Sequence, residues 1–162
     1  MLFSTKAEYG VRPMVELGRR AGDTEPEGSE PVALAAVAEA EMLPLSYLEH
    51  LVAKLRQAGL VTSVRGAHGG YRLAKAPSEI AMLDVVEALE GPIAPMECFH
   101  SDREGRVLCS HEVDAGQTCA TKLLWTRVHG GVTKALTSTT LADLVEFAGP
   151  SPASEPVAAP VA

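Results

Sequence analysis

Helical spacing of apolar residues runs through most of the chain and gives way once, between residues 60 and 75, to the shorter pattern of strands. In STKAEYGVRPMVELGRR, Thr5 and Glu8 have capping-box spacing ahead of Tyr9, Val11, Met14, Val15 and Leu17, predicting a helix over about 6–20. Pro13 within it predicts a kink or a shifted start, since proline donates no amide and crowds the preceding turn. AGDTEPEGSEP, residues 21–31, reads as an exposed loop. A short helix at about 33–40 places Leu34, Val37 and Ala38 inward, and EMLPL breaks it.

The next helix has the clearest pattern: Leu48, Leu51, Val52 and Leu55 repeat at i, i+3, i+4 and i+7, Ser46 and Glu49 have capping-box spacing, and Gly59 stops it. LVTSV, RGAHGG and YRLAK then read as two strands joined by a glycine-rich turn. Pro77 ends the hairpin, and MLDVVEALEG carries Met82, Val85, Val86 and Leu89 on one helical face. Residues 91–118 hold no sustained period. Leu124, Val128, Val132 and Leu136 predict a helix near 120–138, about 28 Å long, and TLADLVEFA a last short one. From Gly149 the Pro/Ala-rich end reads as a disordered tail. The sum is a mainly α fold with a small β hairpin, a winged helix-turn-helix followed by a long C-terminal helix.

Composition narrows the partners. The 162 residues suit one domain of ordinary size or a small domain with arms, and with seven aromatics and 24 alanines the core must rest on Leu, Val and Met. A net charge of −7 argues against indiscriminate binding to DNA, yet between His50 and Ala76 the only charged residues are Lys54, Arg56, Arg65, Arg72 and Lys75. That basic stretch coincides with the predicted recognition helix and wing. Ser46 and Tyr47 are placed to meet a phosphate or the groove edge, while Arg65 and His68 flank a turn able to enter a minor groove. The plainer reading is a solvated helix face on which Ser46 only caps. With no 18-residue apolar run and no signal-peptide pattern in MLFSTKAEYG, the chain reads as soluble and cytoplasmic, with no membrane partner.

Cys98, Cys109 and Cys119 are the only cysteines. An odd number confined to one stretch fits ligation or redox chemistry better than a disulfide scaffold. Thiolates are soft ligands for iron–sulfur clusters, zinc or copper(I), but C-x10-C-x9-C is unlike a zinc knuckle. Three unconnected thiols remain the simpler alternative.

SYLEHLVAKLRQAGLVTSVRGAHGGYRLAK closely resembles the helix and wing of the Rrf2 family of bacterial winged-helix regulators, which includes iron–sulfur and nitric-oxide sensors. STKAEYGVRPM, LDVVEALEG and CATKLLW...TLADLV extend the resemblance over about residues 2–146. It implies a homodimer crossed by the helix after Cys119, on a palindromic double-stranded DNA operator. Together with the pattern of elements it divides the chain into a winged helix-turn-helix in 1–90 (wing about 60–75), a cysteine-bearing cluster loop in 91–119, dimerisation and last helices in 120–147, and the tail in 148–162. By resemblance Ser46, Tyr47, Glu49 and His50 face bases, Glu49 suiting a cytosine amino group unless it only caps. Lys54 and Arg56 face phosphates, and Arg65, His68, Gly69, Gly70, Tyr71 and Arg72 form the wing.

The same resemblance implies a [2Fe-2S] or [4Fe-4S] cluster on Cys98, Cys109 and Cys119. Both intervals exceed the family's common spacing, and Lys122 stands where some members have histidine. The fourth ligand is then Glu8, matching a carboxylate that nitric-oxide sensors supply from the partner's first helix, with His100 and His111 as rivals and a cap with Thr5 as the alternative role for Glu8. The missing histidine favours [4Fe-4S] over [2Fe-2S]. The expected function is a regulator whose operator binding follows redox state, nitric oxide or iron through the cluster. The alternatives are a cluster-free repressor using thiols or zinc and, remotely, a small metal-dependent or thiol enzyme, for which the sequence offers no convincing acid–base pair.

Overall fold

A computed structural model describes residues 3–21, 29–66, 68–94 and 119–149, together with the backbone of 99–101 and 107–109. The element order is α1 (Thr5–Ala21), α2 (Leu34–Ala40), α3 (Leu45–Gln57), β1 (Val61–Val64), β2 (Gly70–Leu73), a 3-10 turn (Pro77–Glu79), α4 (Met82–Glu90), β3 (Phe99–Ser101), β4 (Val107–Cys109), α5 (Ala120–Ser138) and α6 (Leu141–Ala148). This is the mainly α architecture with an antiparallel hairpin and a long C-terminal helix that the periodicity predicts. The inward faces of α1, α3 and α4 meet in one core through Met14, Leu48, Leu55, Val85 and Leu89, with Leu73 from the wing and Leu141 from α6 closing it.

Helix α1 runs through Pro13 rather than starting after it. Its cap also differs from the sequence expectation. Thr5 lies inside the helix, Ser4 Oγ accepts from the Lys6 amide at 3.1 Å, and Glu8 reaches forward to Arg12 at 2.7 Å instead of back to the cap. The acceptor for the first turn comes from α4: Glu90 Oε1 accepts from the Ser4 amide (3.0 Å), Ser4 Oγ (2.5 Å) and the Ala7 amide (3.2 Å). The second expected capping box is absent as well, because α3 begins earlier, at Leu45 behind Pro44, with no side-chain cap. Ser46 and Glu49 are therefore both helical surface residues.

Deep in α1, Glu16 is buried and accepts from Arg20 Nε at 2.6 Å, with Arg19 at 3.8 Å, so its charge is paired as a buried charge must be. Burial, with the Glu16 carboxylate nearby, pushes the Glu41 carboxyl up.

The turn into α3 puts Met42 at φ 53°, left-handed backbone that disfavours a residue with a β-carbon, while its side chain is 89% exposed. Met42→Gly removes that strain and almost no packing. We expect it to stabilise the fold by about 1 kcal/mol, read as a raised urea midpoint at unchanged slope; a lowered midpoint would contradict the strain.

The wing is antiparallel, in register from Val61 opposite Leu73 to Val64 opposite Gly70. A third segment joins it: Val32 bridges Tyr71, each amide donating to the other's carbonyl at 2.8 Å. A β-carbon on Gly70 would collide with the Val32 carbonyl, so glycine is what lets this strand lie against the hairpin. A second hairpin, Phe99–Ser101 against Val107–Cys109, lies in the stretch where the sequence shows no sustained period.

Candidate nucleic-acid interface and metal-ligating residues

Because Leu48, Leu51, Val52 and Leu55 of α3 turn inward, the opposite stripe is left to solvent. Ser46, Glu49 and His50 are exposed on it, and so is Ala53, which continues the stripe and was not anticipated. A methyl group there suits the C5-methyl of thymine. Tyr47 is half-buried: its ring stands edge-on to Tyr9, 6.1 Å between centroids at 86°. Tyr9 in turn lies under the Arg12 guanidinium, 5.3 Å from the ring centre, and Arg12 holds Glu8. Glu8 and the start of α3 are thus joined by a continuous run of contacts. Only the i, i+4 spacing of Glu8 and Arg12 was visible beforehand.

Of the basic side chains, Arg56, Arg65 and Lys75 are exposed, as is His68 in the wing turn. Lys54 is differently placed. Its Nζ donates to the Leu89 carbonyl at 2.7 Å, completing the C-terminal turn of α4, so a phosphate must compete with that bond. Tyr71 and Arg72 are half-buried in β2, and the Gly69 amide closes the turn onto Gly66 O at 3.0 Å.

Cys119 immediately precedes α5, half-buried, with Sγ 3.2 Å from Thr121 Oγ1. Cys109 ends β4 directly opposite Phe99. Cys98 and His111 lie outside the described residues; His100 is in β3 opposite Leu108. Within the interval between the first two cysteines, β3 and β4 pair as an antiparallel hairpin. Glu8 is 58% exposed, its carboxylate accessible once Arg12 lets go. Among the described residues, which do not include Cys98 or the Cys109 side chain, no three potential ligands come together. Helix α5 buries none of its own residues, and Leu123 and Leu124 are 62% and 55% exposed.

Residues 3–147 match the family model of Rrf2, described as an iron-dependent transcriptional regulator. The chain belongs to the Rrf2 family. It is 39% identical over 147 residues to the HTH-type transcriptional regulator CymR of Bacillus subtilis, covering 91% of each chain. The structure of that protein, described as the global cysteine regulator, superimposes with a TM-score of 0.69, 37% identity and coverage of 91% of this chain and 98% of CymR. T. potens IscR gives 0.68 at 36% identity, covering 92% and 89%. The oxidized form of Staphylococcus aureus CymR gives 0.65 at 35% identity, covering 90% and 97%. Rrf2 proteins are DNA-binding transcriptional regulators rather than enzymes, which removes the enzyme alternative. Among the described residues of this member, no helix is long and apolar enough to cross a membrane.

Proposed function

We propose that this Rrf2 protein is a cytoplasmic homodimeric regulator whose operator binding is governed by an iron–sulfur cluster on Cys98, Cys109 and Cys119, with Glu8 of the partner subunit as fourth ligand. The observation that carries the reading is the placement of Cys119 at the first turn of α5, a helix with exposed leucines and no residue buried within its own chain. A second copy crossing there covers Leu123 and Leu124, and the ligand set then spans the helix that orients the two recognition helices. The family's description as iron-dependent supports the same reading.

When bound, the cluster supplies binding free energy that differs between two arrangements of the dimer, and only such a difference shifts their populations. The chain's own residues do the rest. Residues 1–90 read DNA, 91–119 hold the ligand-bearing hairpin and 120–147 join the subunits. Ser46, Glu49 and His50 face base edges, with Tyr47 beside them. Arg56, Arg65, His68 and Arg72 neutralise phosphates or enter the minor groove, and the turn at Gly69, Gly70 and Tyr71 brings the wing backbone close. With half-sites one turn apart, about 34–36 Å, a small rotation of α5 decides whether both helices fit.

A cluster-free thiol sensor is the second reading, favoured by the likeness to an oxidized CymR. Iron and acid-labile sulfide per chain in anaerobically purified protein, with its visible spectrum, separate the two. Stoichiometric iron and sulfide with visible absorption support the cluster, whereas a colourless protein that resists reconstitution supports the thiols. The DNA interface is tested separately. Arg65→Ala should weaken operator binding about fivefold and flatten the logarithmic salt dependence by about one unit; unchanged affinity and slope by fluorescence anisotropy would remove Arg65 from the interface.

A further inference from the structure

Three contacts from different parts of the chain converge on two residues. Glu90 accepts the three bonds from Ser4 and Ala7 at the start of α1. Leu89 fills the space left at Gly10, where a β-carbon would strike its Cδ1 atom, so α1 lies directly on the end of α4. The Leu89 carbonyl takes the Lys54 ammonium of α3. Each contact has an ordinary structural use: a cap, a close helix crossing and a C-terminal partner for a carbonyl. Their meeting within one turn is the unusual feature. It ties the turn of α1 that carries Glu8 to the last turn of the recognition helix, with only residues 89–90 between.

We propose that the last turn of α4 is the joint through which the Glu8-bearing turn of α1 and the recognition helix move together, with Glu90 as its positioning residue. The part of the proposal that concerns switching rests on the assignment of Glu8 as a ligand; the mechanical joint does not. If Glu8 is drawn toward a ligand, the first turn of α1 can follow only by carrying Glu90 with it or by breaking three hydrogen bonds. Leu89 moves with Glu90, and Lys54 follows its carbonyl. Bonding by the Ser4 hydroxyl and amide holds the Glu90 carboxyl below the usual carboxylate range, so the anchor stays ionised at neutral pH and is lost only on acidification through its lowered value.

The test uses full-length Glu90→Ala protein, followed by amide hydrogen exchange in the metal-free state and by operator binding in the metal-free and cluster-loaded states. We expect exchange to quicken about tenfold both at residues 6–8 and around Lys54 in α3. The ratio of operator affinities between the two states should fall about tenfold from that of the wild type, at unchanged iron per chain. Glu90→Gln, which keeps an acceptor oxygen without the charge, should fall between. Quickening confined to the start of α1, or an affinity loss equal in both states, makes Glu90 a local cap and overturns the proposal. A wild-type protein that binds no iron sinks the cluster assignment, and the exchange at Lys54 still decides the joint. Should Glu90→Ala fail to fold, Ser4→Ala, which removes only the hydroxyl, is read by the same two criteria.

Discussion

With the cluster proposed above, Cys119→Ala is expected to reduce iron and acid-labile sulfide to background while the chain still folds and dimerises. Alanine offers no donor atom, and a cluster that loses one of three thiolates has no second cysteine nearby in sequence to replace it. The fold has little to lose. The Cys119 side chain is only half-buried, and its Sγ meets the Thr121 hydroxyl at 3.2 Å on the exposed start of α5. A change at such a position costs about 0.5 kcal/mol or less. Far-ultraviolet circular dichroism and sedimentation should therefore match the wild type, and operator binding should be fixed at the metal-free value whatever the iron supply. Iron retained in full by a folded Cys119→Ala dimer would place the ligands elsewhere.

The second large effect is structural. Gly70→Ala drives a β-carbon into the Val32 carbonyl and to 2.9 Å from the Ala33 amide nitrogen. These are backbone atoms, which cannot swing aside as the end of a side chain can. Relief requires Val32 to leave Tyr71, giving up both 2.8 Å hydrogen bonds. Overpacking of this kind costs about 1–3 kcal/mol, and each lost bond about 1 kcal/mol more, so destabilisation of about 3–5 kcal/mol is expected by denaturant unfolding. Operator binding should fall with it, since the hairpin that carries Arg65 and His68 is then no longer fixed along β2 by Val32. A fully stable Gly70→Ala protein would mean that the third strand yields without cost.

Where stability came from local periodicity, the sequence was readable. The apolar repeats of α3 and α4 gave those elements nearly to the residue, since each buries a stripe whose period is that of the helix itself, and the same spacing gave the long C-terminal helix although none of its residues is buried within the chain. Both capping boxes misled for a common reason: S/T-x-x-E spacing records only what a side chain could reach. At the start of α1, Glu90 from 86 and 83 residues away in sequence took the Ser4 and Ala7 amides, leaving Glu8 to Arg12. At α3, Pro44 moved the start one residue ahead of Ser46. The link from Lys54 to Leu89, the bridge from Val32 to Tyr71 and the crossing of Gly10 on Leu89 are contacts between distant segments, and no window of adjacent residues contains them. The cysteine spacing was legible as a departure, but the pairing of Phe99 with Cys109 inside it was not, since three-residue strands do not announce their registration.

The bridge between Val32 and Tyr71 also decides what could be exchanged between relatives. A wing cut out at residues 60–75 and grafted onto another scaffold would arrive without the strand that Gly70 was made to accommodate, and its outer edge would be unpaired. The portable unit is discontinuous: the hairpin together with the short stretch leading into α2. Engineers seeking new operator preferences in this protein have to vary these two segments as a matched pair.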